Sequence, residues 1–544
     1  MPAGQVFSSA RAPAPLPFAH GVASGDPRED RIILWTRITP QAGTEGPVEV
    51  HWQVSERPDF AVVVSEGGAL TDASCDWTVH VDAGGLAPGR RYFYRFLAGR
   101  HVSPTGRART LPAAEADAVR IAALSCANFS LGYFNAYDHL ARREDIDLVL
   151  HLGDYIYETA PGGYEGGPQE LAGRRHDPPR DAVSLEDYRR RYGQYRMDGA
   201  LQALHAAHAM IASWDDHEFA NNASRNGAPD HAGSAEDWAA RREAGLRAWY
   251  EWMPVRRPEN APWTDRFKAM DLGRVARLCV LETRVSARDA SIGFEDIAAY
   301  ADNIDALRAR ISDPAREKLG AAQRAHLKAA LAGAGGRWAL LANQTMMGQV
   351  ITPDISPYLS EENLAELRAR WDGAEGFLAA AEARLPVMLD AWDGYPAERE
   401  RLFALAEEAG ARGLVVLTGD THAWWANDLY TAEVRKAGVE LGGSSVTSPS
   451  PFSPALLGDR GRDFALLVNR DNKAVRYVSG QTHGYLELTL TPEAGEARFI
   501  AVDTVQAEQY RVFEQARFRL NRSADGEVSL ARPSGLGLRE RFLF

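Results

Sequence analysis

The chain is poor in cysteine. It holds three among 544 residues, Cys75, Cys126 and Cys279, too few and odd in number for a disulfide framework. It has no run of 18 consecutive apolar residues, so no segment reads as a transmembrane helix. Surplus basic charge is also missing: 61 Lys and Arg stand against 74 Asp and Glu, a formal net charge of −13. Nucleic-acid backbones and anionic membrane surfaces reward excess cations, so no stable nucleic-acid complex is expected. Phosphate mono- and diesters are not excluded, because a local cluster of cations outweighs the global sign. The opening, MPAGQVFSSARAPAPLPFAHG, lacks the apolar core of an intact signal peptide. It reads either as a Pro- and Ala-rich stub left after signal removal or as an intact cytoplasmic start.

What is present is ordinary globular composition, 45% hydrophobic and 25% charged, at a length that implies at least two domains. Residues 1–17 read as a tail or signal remnant. Residues 18–113 carry short alternating or aromatic-rich runs such as IILWTRI, VEVHWQVS and RYFYRFLAG between Gly, Pro and Asp turns, which predicts a β-sandwich of immunoglobulin or fibronectin type. From residue 118 to 510 the pattern changes to strand, helix, strand, which predicts a parallel sheet. VRIAALSCAN (119–128), IDLVLHLGD (146–154), AHAMIASWDDHE (207–218), RWALLANQT (337–345) and GLVVLTGDTH (413–422) are all apolar runs that break into polar residues. HGYLELTLTPE and ARFIAVDT read as an antiparallel pair. Residues 158–205 and 355–390 read as long insertions, and 511–544 as a C-terminal extension.

The polar breaks carry the chemistry. SCAN offers Cys126 and Asn128 two apart, so both side chains can face the same side. HLGDYIYE (151–158) sets Asp154 three residues before Tyr157. SWDDHEFANN (213–222) packs Asp215 and Asp216 beside His217 and Glu218, an arrangement that repels itself unless a cation or proton neutralises it. LTGDTHAWW (417–425) sets Asp420 two before His422, a frequent metal-ligand spacing. Read one at a time, Cys126 is a buried small hydrophobe, Tyr157 a core aromatic and the Asp pair a solvated loop. Read together, with the strand ends of one parallel sheet converging on one edge, they predict a two- or three-metal phosphoester hydrolase. Arg174, Arg190 and Arg191 are candidate phosphate contacts, against the commoner reading of a solvated arginine face.

FAHGVASGDP (18–27), SCANFSLGYFNAYDHL (125–140), LVLHLGDYIYE, SWDDHEFANN, LLANQTMMG (340–348), DAWDGYPAERERL (390–402), VVLTGDTHAWWANDL (415–429) and GGSSVTSPS (442–450) together resemble the alkaline phosphatase D family. That family is a variant of the calcineurin-like metallophosphoesterases and is related to the purple acid phosphatases. The resemblance runs from about residue 18 to residue 505. It implies an α/β (α+β) chain with an N-terminal β-sandwich followed by a metallophosphoesterase αββα sandwich. Relative to purple acid phosphatases the chain has Asp216 for an Asn, Asp420 for a His, Cys126 for an Asp, and Asn343-Gln344 where a further His would stand.

Ligand softness sorts the donors. Thiolate Cys126, bridging Asp154, phenolate Tyr157 and imidazole His422 favour Fe3+, with Zn2+ a poorer match to a phenolate. Asp154, Asp216, Asp420 and either Asn128 or Asn343 form an all-oxygen set that suits Ca2+ or Mg2+. The resemblance implies an iron–calcium centre with one or two Ca2+. The expected reaction is in-line displacement at phosphorus by a metal-activated water or oxide, releasing phosphate. Asp216 and His217 are the candidate catalytic pair, with His217 as leaving-group proton donor or transition-state stabiliser, against the plainer reading of an orienting residue. A phosphodiesterase or phospholipase D-like activity on the same centre is the alternative, and a non-catalytic binding protein with a degenerate phosphatase fold the distant one. The resemblance also implies export to the periplasm or exterior by a twin-arginine route, with no such signal in this sequence.

Overall fold

The apolar runs that break into polar residues are strands whose C-terminal ends meet at one rim. The computed structural model describes residues 5–162, 170–300, 302–355, 360–370, 373–450 and 460–531. Two large mixed sheets face each other. At the centre of the first, Val119–Leu124, Leu148–His151 and Ala209–Ala212 run parallel, with Ile121 beside Leu148 and Val149 beside Met210. At the centre of the second, Ala276–Val280, Trp338–Ala342, Leu414–Thr418 and Lys436–Gly442 run parallel. These strands are mostly apolar, with few breaks such as Arg120, Arg277 and Glu440, because both faces are covered. Ile121, Leu148 and Ile211 of one sheet pack with Leu278, Leu340 and Val415 of the other, each such side chain contributing roughly 1.5–3 kcal/mol on burial.

Helices close both outer faces. Leu185–Arg196, Gly199–Ala207 and Ala235–Trp252 cover the first sheet through Tyr188, Tyr192, Leu201, Leu204, Leu246 and Trp249. Gly320–Ala332 and Pro396–Glu408 cover the second through Leu327, Leu331, Leu402 and Phe403. The layers are therefore helix, sheet, sheet, helix, as the motifs imply. The strand ends do not belong to one sheet, however. Those before Cys126, Asp154 and Asp216 belong to the first, and those before Asn343 and Asp420 to the second, so the site straddles the gap between them.

The N-terminal β-sandwich is present and is fused to this body. One of its layers is Val63–Thr71, Val48–Ser55, Arg91–Ala98 and His101–Val102 with Gly106–Arg109. The other is Val22–Gly25, Arg31–Arg37 and Thr78–Gly84, which continues the first large sheet through a parallel pairing of Ser24 with Ala209. Ile32, Leu34, Val50, Val54, Val81, Tyr94 and Phe96 fill the space between the layers. The break in sequence pattern at residue 113 thus separates segments without separating sheets. Val6–Ser8, inside the stretch read as a tail, is a strand paired with the strand Gln509–Arg522, and that strand runs into the stretch read as an extension. His483–Leu490 and Ala494–Val502 pair antiparallel as the sequence predicts.

The stretch 158–205 is less of a loop than its composition implies. It contains Leu185–Arg196, opened by a Ser184–Asp187 capping box, and Gly199–Ala207, capped by Asp198. Reciprocal side-chain and backbone bonds of this kind outweigh a Gly- and Arg-rich composition. The stretch 355–390 likewise carries helices Glu361–Arg370 and Ala374–Glu382. Among the described residues, no helix is long and apolar enough to cross a membrane.

Candidate metal centre

At the rim each strand turns sharply into its polar motif. Cys126, Asp154, Asp420 and His422 have φ of 60°, 51°, 65° and 55°, a left-handed backbone that costs non-glycine residues about 1–2 kcal/mol each. Such strain persists where surrounding contacts over-determine it and clusters at functional sites. Gly153, at φ 104°, allows the closest approach: a Cβ there would lie 2.3 Å from the backbone nitrogen of Asp215. Glu218 then clips the two turns together. Its Oε2 accepts from the nitrogens of Asp154 at 3.0 Å and Asp215 at 2.7 Å, and its Oε1 from that of Tyr155 at 2.6 Å.

The turns bring together three overlapping triads. Ligand atoms of Cys126, Asp154 and His422 lie within 4.8 Å of one another, as do those of Asp154, Asp216 and His217, and those of Asp215, Asp216 and Asp420. Asp154 joins the first triad to the second, and Asp216 the second to the third. Tyr157 completes the first: its hydroxyl is 3.1 Å from Asp154 Oδ2 and 3.1 Å from His422 Nε2. Ser448 donates to that hydroxyl at 2.7 Å and to the carbonyl of Cys126 at 3.1 Å. His422 Nδ1 donates to the Pro449 carbonyl at 2.9 Å, which leaves Nε2 as the nitrogen facing the triad.

Electrostatics separates the groups. Burial pushes the Asp154 carboxyl and the Cys126 thiol well above their ordinary ranges; Asp216 raises Asp154 further, and the Asp154 carboxylate raises Cys126. Burial likewise lowers His422 to about 3, so its imidazole is neutral. Burial alone would lower His217, but the carboxylates of Glu158, Asp154 and Asp216 outweigh it and hold the imidazole well above its usual value. Asp216 is pulled below the carboxylate range against its burial, by Arg284 and His217. Burial raises Asp215 to about 6 and Glu218 to about 7.

The donor chemistry fits metal ions. Asp215 Oδ2, Asp216 Oδ1 and Asp420 Oδ2 are buried without a hydrogen-bond donor among the described residues; Asp216 Oδ1 has the Arg284 guanidinium 3.4 Å away as an ion-pair partner only. Unpaired buried carboxylate oxygens are costly, and a cation bound among them removes that cost. The two asparagines are used differently. Asn128 Oδ1 accepts from the backbone and hydroxyl of Ser130 at 3.1 and 2.9 Å, capping the turn Phe129–Leu131. Asn343 Oδ1 accepts from Trp392 Nε1 at 3.1 Å, and its Nδ2 donates to the carbonyl of Thr345.

The structure adds residues that the motifs did not single out. Arg284 is fully buried; it pairs with Asp215, with Asp390 at 3.2 Å, with Asp420 at 2.9 Å and with Asp216. Glu158, one residue beyond Tyr157, holds His217 Nδ1 at 2.7 Å. Nothing marked Arg284 in advance, because LETR (281–284) follows an ordinary strand and its partners lie far away in sequence. The arginines suspected of binding phosphate are committed to the protein. Arg174 pairs with Asp198 and bonds the Phe129 carbonyl, Arg190 pairs with Asp177, and Arg191 bonds the carbonyls of Tyr157, Asp177 and Pro178.

Comparison with known proteins gives consistent matches. The model of the PhoD-like phosphatase family matches residues 121–499, and that of the PhoD-like phosphatase N-terminal domain matches residues 4–112. Alkaline phosphatase D of Bacillus subtilis (strain 168) is 32% identical over 519 residues, covering 94% of this chain and 82% of that protein. The solved structure of PhoD is 30% identical at a TM-score of 0.78, covering 97% of this chain and 95% of the other. A purple acid phosphatase from yellow lupin (Lupinus luteus) seeds is 12% identical at a TM-score of 0.47, with 93% of this chain and 74% of that one covered.

Proposed function

The chain belongs to the PhoD-like phosphatase family and is a phosphoric ester hydrolase, and on that premise we propose that it cleaves phosphoesters at a metal centre hinged on Asp154. The observation that carries this reading is the position of the Tyr157 hydroxyl, 3.1 Å from both Asp154 Oδ2 and His422 Nε2 at the edge of the triad that includes Cys126. A thiolate, a carboxylate, a phenolate and a neutral imidazole suit Fe3+. Asp154, Asp216 and Asp420 supply oxygen donors on the other side and suit Ca2+. When bound, these ions supply Lewis-acid neutralisation of phosphoryl charge and a more acidic water.

The protein's own groups do the rest. Asp154 spans the two sides and fixes their separation. Asp216 is held by the Asn222 backbone nitrogen at 2.6 Å, so its second oxygen stays directed at the site. His217 stands beside Asp154 and Asp216 with a proton to give to the departing oxygen. The Glu218 clip keeps the two turns from drifting apart, which preserves the geometry of in-line attack.

The test is metal analysis of the purified protein alongside hydrolysis of p-nitrophenyl phosphate and bis-p-nitrophenyl phosphate. Iron and calcium bound together with turnover of the monoester support the reading. Turnover of the diester alone moves the chain to the phosphodiesterase alternative. Metal-independent turnover, or none of either ester, overturns it.

A further inference from the structure

The Asp154–Tyr157 turn continues for one more residue, and that residue reaches back into the site. Glu158 is buried, with 3% exposure, and both of its oxygens are fixed. Oε2 takes His217 Nδ1 at 2.7 Å, and Oε1 accepts the backbone nitrogen of Asn221 at 2.7 Å. A carboxylate held at both oxygens cannot rotate to release its partner. His217 is restrained in two further ways. Its backbone nitrogen donates to Asp154 Oδ1 at 3.3 Å, and its ring lies on that of Tyr157 with centroids 4.2 Å apart at an interplanar angle of 29°. The ring's plane and one edge are therefore set. With Nδ1 committed to Glu158, Nε2 is the ring nitrogen left for proton transfer, in a residue that is 7% exposed. A ring nitrogen of His217 lies within 4.8 Å of carboxylate oxygens of Asp154 and Asp216.

We propose that Glu158 is the positioning residue of an acid dyad, aiming His217 Nε2–H at the leaving-group oxygen of the phosphoester. The proposal rests on the reading of the Asp154 centre given above. In the step, the bond from phosphorus to the ester oxygen breaks and its electron pair goes to that oxygen, which takes the proton from Nε2. A water oxygen forms the new bond to phosphorus, and the proton it loses goes to solvent. The imidazole is left neutral with Nδ1–H on Glu158, and Nε2 regains a proton from solvent. Glu158 keeps its charge throughout and touches neither substrate nor metal ligand oxygen.

The distinguishing property of a positioned acid is sensitivity to the leaving group. p-Nitrophenolate departs without a proton far more readily than phenolate. In Glu158→Gln, kcat for phenyl phosphate should fall on the order of 10²–10⁴-fold, the range for a lost general acid, and for p-nitrophenyl phosphate by about 10-fold or less. KM and bound metal should be unchanged. His217→Asn should reproduce this leaving-group dependence, and adding Glu158→Gln to it should cost little more, because residues acting as one unit are not additive. Glu158→Asp, which keeps the charge, should recover part of the phenyl phosphate rate and serves as the readout if the Gln variant fails to fold. Equal losses on the two esters, or additive losses in the double variant, would overturn the proposal. Failure of the underlying reading shows separately, in the unmutated protein, as turnover that does not depend on metal.

Discussion

Arg284 joins the two sheets at the rim: Nη2 is 2.9 Å from Asp420 Oδ1 in the second sheet's turn, and Nε donates to Asp215 in the first sheet's turn. Burial would lower the guanidinium, but Asp215, Asp216, Asp420 and Asp390 hold it charged. It is a fixed internal cation among carboxylates that are also candidate metal donors.

Removing it leaves buried carboxylates facing one another. Arg284→Ala should destabilise the protein by about 3–5 kcal/mol, the usual cost of stranding buried charge. Added Ca2+ should restore part of the lost melting temperature in the variant and have a smaller effect on the parent. Thermal unfolding with and without Ca2+ checks this, and a melting temperature unchanged by the substitution would contradict the bridging role.

Tyr157→Phe removes one oxygen from the first triad and leaves the ring stacked on His217. If the triad holds ferric iron through the phenolate, the iron-loaded parent is coloured by phenolate-to-metal charge transfer and the variant loses that band. Visible absorption together with iron content decides it. Because a Cys126 thiolate on the same ion would absorb as well, the test is the change: a spectrum unaltered in position and intensity in a fully loaded variant would remove Tyr157 from the coordination set.

Asp216→Ala should lower the calcium content and abolish most hydrolysis while leaving the iron content in place, because Asp216 belongs to the second and third triads and not the first. EGTA treatment of the parent should have the same effect, reversed by Ca2+ more effectively than by Zn2+. Parallel loss of both metals would show that the two sides assemble as one unit.

Gly153→Ala would place a Cβ 2.3 Å from the Asp215 nitrogen at a φ of 104°. Overpacking against backbone and left-handed strain together should cost on the order of 3 kcal/mol. The loss should appear as a lower denaturant midpoint with metal affinity reduced in step, because the same contact sets the spacing of Asp154 and Asp215.

His208 gives a pH dependence at a distance from the candidate metal donors. Its ring is 7% exposed, with Nε2 3.0 Å from the Leu140 carbonyl, and burial lowers it from 6.5 to about 4 against the opposing effect of that carbonyl. The unfolded chain takes up this proton near pH 6.5, and the folded protein resists it until about pH 4. The group's stabilisation is therefore complete above pH 7 and is lost as pH falls from 6.5 to 4, by on the order of 3 kcal/mol. His208→Gln should flatten the stability profile in that window and leave it unchanged above pH 7.

The candidate donors were legible because each follows an apolar strand in sequence, so the strand and its polar break are read as one local pattern. Cys126, Asp154, Tyr157, His422, Asp216 and Asp420 were all singled out this way, and the structure brings them to one rim. The division of the strands between two sheets was not, since parallel strands with both faces covered look alike whichever sheet they join. Val22–Gly25 was also missed as a bridge between segments: VASG has no alternation, and its role shows only in its pairing with Arg31–Arg37 on one side and with Ala209–Ala212 on the other. Arg284 and Glu158 were passed over for a related reason. What marks them is the set of groups around them, and those groups come from turns scattered along the chain. Asn128 and Asn343 met the spacing rules, but their amide oxygens are taken up in capping and in bonding Trp392.

Ser448 bonds to the carbonyl of Cys126 from 322 residues further along the chain. During synthesis at roughly 5–20 residues per second, the thiol leaves the ribosome some tens of seconds before the serine and imidazole that enclose it. In that interval the Cys126 thiol is not yet enclosed and stays open to oxidation. The burial that protects it is therefore a late product of synthesis, complete only once translation has passed residue 448.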